Sequence, residues 1–322
     1  MRYSKERARQ LAWRAAMGAG ASHAAAASLA DATVAAELSG RGAVGFAHLL
    51  DYLEGFVAGR IAGGAEPDIG FPTPAIIRVD AKGGIAQLGF DLAFDELRAR
   101  ADLYGMTVFA QENSYTAGEL GYYTRRLANA GLVALAASNG PALMTAGASR
   151  APVYGTNPLS FAAPVENGRP LVVDQASSAT AFVNVRCAAD NGEAIPEGWA
   201  VDRNGQPTTD AREAVKGLLL AFGGARGANI ALMVEILAAG LTGANWSCDA
   251  PSFAAGSRSP GVGLFIVGLK ADVFAPGFSA RLASQIERLA AQGIHIPGRS
   301  PDTGDVELPG SLVAAIEQYG KS

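Results

Sequence analysis

Between Gly63 and Pro74 the character of the chain changes, and the change limits the folds open to it. Ahead of it, residues 4–17, 22–38 and 46–58 repeat alanine, leucine and charged side chains at helical spacing, with Ser22 placed to cap the second helix. Gly63-Gly64 with Pro67, Pro72 and Pro74 reads as a breaker-rich connector and a candidate domain boundary. Beyond it come short apolar runs bounded by Gly, Pro, Asn or Asp. Ala75–Val79, Met106–Gln111, Leu132–Ala137, Pro152–Tyr154, Leu159–Ala163, Leu171–Val173 and Ala181–Arg186 are therefore expected as strands, with helices at 90–104 and 118–130 between the early ones. The later strands follow one another without a crossover helix, so most of the sheet must be antiparallel, which excludes a repeated βαβ unit.

Residues 196–210 read as loop, 210–220 and 228–243 as helices, Val262–Leu269 as a strand, and 278–292 and 311–319 as closing helices that return to the first ones. The expected division is a helical part, 1–66 with about 270–322, and a mixed-sheet part, 67–269. With 322 residues the chain can bury a sizeable core; 49% hydrophobic and 17% charged residues exclude disorder and collagen. A net charge of -4 without a Lys/Arg block offers nothing to a phosphate backbone, so nucleic acid is not an expected partner. Cys187 and Cys248 lack CxxC spacing and are expected as reduced thiols. Met1 to Arg14 has no apolar stretch of signal type, and Ala228 to Ala244 carries Glu235 and is too short to span a bilayer. The expected location is the cytoplasm, with no membrane contact.

The common catalytic signatures are missing. Gly18-Ala-Gly20 ends on His23 where a third glycine would complete a dinucleotide fingerprint, and Gly320-Lys321-Ser322 has no first glycine and no helix to follow. His23, His48 and His295 are far apart, with no cysteine at ligand spacing, so no metal is expected; no G-x-S-x-G elbow occurs. Four polar segments remain: Asn113–Tyr123, Ser138-Asn-Gly-Pro141, Gly155-Thr-Asn-Pro158 and Asp174-Gln-Ala-Ser-Ser178. Each sits where a strand ends. Any one alone is ordinary turn and cap chemistry; four together point to a cleft for a polar ligand.

On these residues the chain resembles the type-2 malate/L-lactate dehydrogenase family. The likeness rests on Gly155–Pro158 with Ala162-Ala-Pro164, the Asp174-x-Ala-Ser-Ser run, Arg226 through Gly243, and Ile296-Pro-Gly298. It implies an α/β (α+β), non-Rossmann NAD(P)-binding fold with a mixed, largely antiparallel sheet flanked by helices, and a homodimer joined through an apolar face of the first helices. The segment 116–123 is most similar to the branch of Δ1-piperideine-2-carboxylate/Δ1-pyrroline-2-carboxylate reductases, here with Ala117 inserted after Thr116. The dehydrogenases have a histidine where this chain has Thr116. Oxidising a hydroxy acid needs a base to take the hydroxyl proton, whereas a cyclic imine is basic enough to be protonated in water or by one weak acid. The resemblance thus implies NADPH-dependent reduction of a cyclic imine 2-carboxylate to L-pipecolate or L-proline, with NADH possible. A 2-hydroxy acid dehydrogenase and a catalytically impaired binding homologue stay open as alternatives.

By the same resemblance His48 is the proton donor, and Thr156 and Asn157 meet the substrate. Thr116, Ala117, Gly118, Glu119, Leu120, Asp174, Gln175, Ala176, Arg226, Pro297, Gly298 and Arg299 line the cofactor. The family pattern fails at three places. Ala47 replaces a serine, Tyr52 replaces the arginine that grips the substrate carboxylate (Arg41 or Arg60 being the available substitutes), and Asn184 replaces a relay aspartate. His48 is left as the expected remnant of that relay.

Overall fold

The computed structural model describes residues 1–147, 149–298 and 304–320. In chain order the helical start is β1 (Arg2–Ser4), α1 (Lys5–Gly18), α2 (His23–Leu38) and α3 (Phe46–Val57). The sheet is then laid down as β2 (Asp68–Thr73), β3 (Ile76–Asp80), α4 (Ala86–Tyr104), β4 (Met106–Ser114), α5 (Leu120–Asn129), β5 (Leu132–Ser138), β6 (Leu159–Ala163) and β7 (Leu171–Gln175). A peripheral part follows, made of α6 (Phe182–Asn191), β8 (Ala200–Val201), β9 (Pro207–Thr208), α7 (Ala211–Val215), β10 (Leu218–Leu219) and α8 (Ala225–Glu235). The chain re-enters the sheet as β11 (Val262–Lys270) and closes with α9 (Ala271–Phe274), α10 (Phe278–Ala291), β12 (Asp305–Glu307) and α11 (Gly310–Tyr319).

Seven strands form the main sheet in the order β2-β3-β4-β11-β5-β6-β7. Only β3 and β4, which have α4 between them as a crossover, are parallel neighbours; β4 and β5, joined through α5, also run the same way but with β11 inserted antiparallel between them, and the remaining neighbours are antiparallel. Leu264 and Ile266 of β11 face α4 and α5, in a core with Phe90, Leu97, Phe109, Tyr123 and Leu127. A second core holds the helical start together, with alanines 8, 12, 15 and 16 letting α1 lie close to its neighbours, and Val306, Val313 and Ile316 returning to it. Ser22 caps α2 by accepting from the Ala25 N–H at 3.2 Å.

Several local expectations fail. The Ala181–Arg186 run is helical, because Phe182, Val185, Ala188 and Ala189 recur at helical spacing and pack on a third core around Met144 and Ala200. Pro152–Tyr154 makes only a bridge between Tyr154 and Met144. The connector contains β2, whose Pro72 is tolerated because the strand is the sheet's edge. The 196–210 loop contains the short β8 and β9, and the helix expected over 210–220 ends at Val215 and passes into β10. The helix expected over 228–243 starts at Ala225 and gives way after Glu235 to one π-helical turn, Ile236–Gly240. Helix α10 does not return to the first helices; Ser279 accepts a hydrogen bond from the Glu166 N–H instead. Large exposed apolar side chains are few on α1 to α3, Met17 and Val57, and gather as Leu232, Met233, Ile236, Leu241 and Trp246. Cys187 and Cys248 are free and exposed, and no described helix is long and apolar enough to cross a membrane.

The π turn lies on the sheet face opposite α4 and α5. Gly263 points there, being next to Leu264 in an alternating strand, and a Cβ on it would stand 1.7 Å from the Ala238 carbonyl oxygen and 2.6 Å from Thr242 Oγ1. Gly263→Ala is expected to cost about 1–3 kcal/mol in denaturant unfolding. An unchanged midpoint would show that the turn is not seated on β11.

Candidate functional site

Helix α3 starts at Gly45, whose lack of a side chain lets Glu37 of α2 come close: a Cβ there would lie 2.5 Å from Glu37 Oε2. That carboxylate accepts the Phe46 N–H at 3.1 Å, and an anion at a helix N-terminus is favourably placed. Burial holds Glu37 above the usual carboxylate range, with the Phe46 N–H opposing. His48 then falls on the first turn, facing the chain that leaves β4. Its Nδ1 lies 2.7 Å from Asp51 Oδ2 and its Nε2 3.2 Å from Thr116 Oγ1. The rings of Tyr52 and Phe253 meet the imidazole edge-on at 5.0 and 6.1 Å.

Tyr52 ties this corner together. Its hydroxyl donates to the Thr116 carbonyl at 3.0 Å and accepts from Thr116 Oγ1 at 2.7 Å and from Gln87 Nε2 at 3.0 Å. Full burial, with a smaller contribution from the Asp51 charge, pushes the phenol up to about 12 despite those hydrogen bonds, so it stays neutral. Since Thr116 gives its hydroxyl proton to Tyr52, Oγ1 is left as an acceptor for His48 Nε2. The carboxylate of Asp51 is an acceptor for Nδ1, and both ring nitrogens therefore face acceptor atoms.

A few residues on, the polar run turns into α5. Gly118 has φ +67° and the Cβ of a larger residue would meet Gln87 Nε2 at 3.2 Å. Ala117 is buried and its carbonyl accepts from Tyr123 Oη and Gln87 Nε2. Leu120 lies in the sheet core, so only its backbone faces this corner. The Gly121 N–H is taken by Asp174 Oδ2 at 2.8 Å, at the end of β7. Glu119 is buried, paired with Arg125 at 2.7 Å and with Arg41 at 3.8 Å, while its Oε2 is sealed without a partner. Desolvation raises both Glu119 and Asp174 above the usual carboxylate range, with Arg125 opposing it most at Glu119 and Arg41 at Asp174.

Beside these carboxylates opens a groove of about 1340 Å³, lined by Arg41, Tyr122, Arg125, Arg126, Pro297 and Gly298 among others. Gly298 has φ +78° and rides so close to β7 that a Cβ would come within 2.8 Å of the Val172 nitrogen. His48 does not line this groove; the 116–121 turn joins the two.

The structure brings all four polar segments together. Gly155 stacks on Gly140, where a Cβ would lie 2.7 Å from the Gly140 carbonyl oxygen; the Ser177 N–H donates to the Thr156 carbonyl at 2.8 Å; and Asp174 holds Gly121. Thr156 is half-buried at this junction, Ala176 is half-buried and Gln175 exposed at the end of β7. Asn157 has a different place from the one expected. It is fully buried at φ +38°, its amide nitrogen donating to the Ala231 carbonyl and to Glu235 Oε2, so it braces α8 rather than facing a ligand. Arg226 is exposed on the first turn of α8 with no ion pair among the described residues. Arg299 lies outside the described residues. Arg41 reaches the Asp174 carbonyl, on the groove side, and Arg60 is buried between Glu54 and the Gly256 carbonyl; neither contacts His48. Asn184 donates to Thr180 Oγ1 and takes no part.

Sequence reasoning missed Asp51, Gln87 and Phe253, and it took Tyr52 only as a lost arginine. For Asp51 a signal existed, its place one turn after His48 on the same helix. For Gln87 and Phe253 none did. Among the described residues no group of three or more His, Cys, Asp or Glu could hold a metal ion.

The sequence model of the malate/L-lactate dehydrogenase family matches residues 3–318. A (2R)-3-sulfolactate dehydrogenase (NADP+) of Chromohalobacter salexigens is 34% identical over 301 residues, 91% of this chain and 90% of that protein. A Δ1-pyrroline-2-carboxylate/Δ1-piperideine-2-carboxylate reductase of Pseudomonas putida is 36% identical over 288 residues, 87% of this chain and 83% of its own. The crystal structure of Δ1-piperideine-2-carboxylate reductase from Pseudomonas syringae pv. tomato superposes with a TM-score of 0.93 at 31% identity, covering 99% of both chains.

The raised Glu119 fixes a sign for stability. Its folded proton affinity exceeds the unfolded one, so between the ordinary value of 4.5 and the raised folded value the native state holds the extra proton, and stability falls as pH rises through that window. Glu119→Gln keeps an oxygen for Arg125 and removes the buried charge. Without ligand, the variant is expected to melt higher than the wild type at pH 8, the gap closing as pH is lowered to 4. A wild type more stable than the variant at pH 8 would show that the arginines outweigh desolvation.

Proposed function

This chain belongs to the malate/L-lactate dehydrogenase family, and we propose that it is an NADPH-dependent reductase of a cyclic imine 2-carboxylate, Δ1-piperideine-2-carboxylate or Δ1-pyrroline-2-carboxylate. The family works with a nicotinamide cofactor, and the residues present fit one. Glu119 Oε2, buried without a partner, can accept from a ribose hydroxyl; the glycines at 118 and 121 keep clear of side chains the space where a Cβ would meet Gln87, Glu119, Arg125 and Asp174; and Arg41, Arg125 and Arg126 bring positive charge to the groove. That cluster of cations supports NADPH over NADH. When bound, the cofactor supplies the hydride that is delivered to C2 of the imine.

One observation carries the reading: each ring nitrogen of His48 faces an acceptor, Nδ1 the Asp51 carboxylate at 2.7 Å and Nε2 the Thr116 hydroxyl oxygen at 3.2 Å. At the position where the dehydrogenases place a second imidazole stands Thr116, a hydroxyl with no basicity to offer. This is a site equipped to give one proton, which suits reduction of a C=N bond: Nε2 passes a proton to the imine nitrogen as the hydride reaches the adjoining carbon. Positioning the iminium in a corner walled by Tyr52 and Phe253 supplies the rest. The exposed apolar set from Leu232 to Trp246 supports a homodimer. A second reading, reduction of a 2-oxo acid, is favoured by the similarity to the sulfolactate dehydrogenase, and it would use the same histidine.

Cofactor oxidation by the purified protein separates the two. With NADPH, the cyclic imines are expected to be turned over at least about tenfold faster than pyruvate, oxaloacetate or 3-sulfopyruvate; the reverse order would select the oxo-acid reading. His48→Ala is expected to lower kcat on the imine by about 100-fold. An undiminished rate would remove His48 from the chemistry.

A further inference from the structure

We propose that Asp51 is the positioning residue for proton transfer by His48, fixing which ring nitrogen faces the reacting atoms; the assignment rests on the imine-reductase reading. The two side chains sit one turn apart on α3 and are mostly shielded, at 16% and 21% exposure, so their 2.7 Å contact is neither an open surface pair nor a sealed one. Asp51 is itself held in place. Its carbonyl accepts from Tyr115 Oη at 3.1 Å, and the same hydroxyl lies 2.7 Å from the Phe253 carbonyl. The strap that carries Phe253 is tied down a second time, at Gly256, by the buried Arg60. Phe253 and Tyr52 then confine the imidazole plane from two sides.

Within that frame the ring has two orientations that differ by a half-turn about its bond to Cβ. With Asp51 present only one is favourable, because the other sets a carbon against the carboxylate and withdraws Nε2 from Thr116. An Nδ1–H held by Asp51 leaves Nε2 as the nitrogen that gives its proton to the imine nitrogen. After the transfer the neutral ring keeps its proton on Nδ1, so the lone pair on Nε2 is ready to be reprotonated from water. The proton lost by Nε2 is the one gained by the imine nitrogen, and the hydride electrons go to carbon alone.

The test compares Asp51→Ala and Asp51→Asn in the full chain with NADPH and the imine found to be the better substrate. In Asp51→Ala, kcat is expected to fall about 10–100-fold while the KM for the imine stays within about threefold, since a second contact orients the reacting group without holding the substrate. Asp51→Asn keeps an oxygen for Nδ1–H and is expected to recover most of that loss. In the 15N spectrum of the wild type, the neutral His48 ring carries its proton on Nδ1; in Asp51→Ala that preference is lost. An unchanged kcat in Asp51→Ala overturns the proposal. So does an equal loss in both variants accompanied by a lowered Tm, which would mark a packing role. If the wild type reduces no imine, the functional reading fails by itself, and the 15N comparison still decides whether Asp51 sets the tautomer.

Discussion

The turn from Thr116 to Gly121 has to cross from the sheet to α5 in a place closed to water, and the need to satisfy its backbone organises everything around it. A buried peptide group without a partner costs about 1–3 kcal/mol, so each must find one. Here the partners arrive from four elements: Tyr52 of α3 at the Thr116 carbonyl, Gln87 of α4 and Tyr123 of α5 at the Ala117 carbonyl, and Asp174 of β7 at the Gly121 N–H. Helices α3 and α4 and strand β7 are thereby locked to one short segment. The His48 corner and the charged groove lie on its two sides.

On the groove side the price is electrostatic. Two carboxylates, Glu119 and Asp174, are desolvated close together, and two arginines only partly offset the cost. Such an arrangement is poor for stability and useful for binding: polar atoms already stripped of water, and already aimed, lose little when a ligand hydroxyl meets them. The N-terminus of α5 opens onto this cluster, and Asp174 answers its second N–H directly.

On the other side, the departures from the family pattern make sense as a set rather than one by one. Tyr52, at the place the resemblance gives to an arginine, holds Thr116 from two directions; Thr116, at the place it gives to a histidine, sets its hydroxyl oxygen 3.2 Å from His48 Nε2. With Asp51 supplying an acceptor from the histidine's own helix, His48 is not left alone. The family relay aspartate is not rebuilt at Asn184, whose amide turns to Thr180.

What could be read from the residues alone was whatever is settled within a few positions. Alanine-rich helical spacing, the Ser22 cap, the short strands, and the four polar strand ends are local matters, because turns, caps and pleats are decided by neighbours in the chain. The antiparallel run of β5, β6 and β7 followed as well, since strands that succeed one another without a crossover helix have no other way to return. Local reading failed where packing chose the outcome, as in the Ala181–Arg186 run, whose alternating valines favour a strand until the Met144 core claims one face of a helix. It failed again at Asn157, where burial against Glu235 removes a side chain that the motif alone presents as a ligand contact. Which groups stand within hydrogen-bond reach of one another, His48 with Thr116 or Gly121 with Asp174, was decided only when the helices docked on the sheet, because such contacts join residues tens of positions apart and depend on geometry that no local pattern carries.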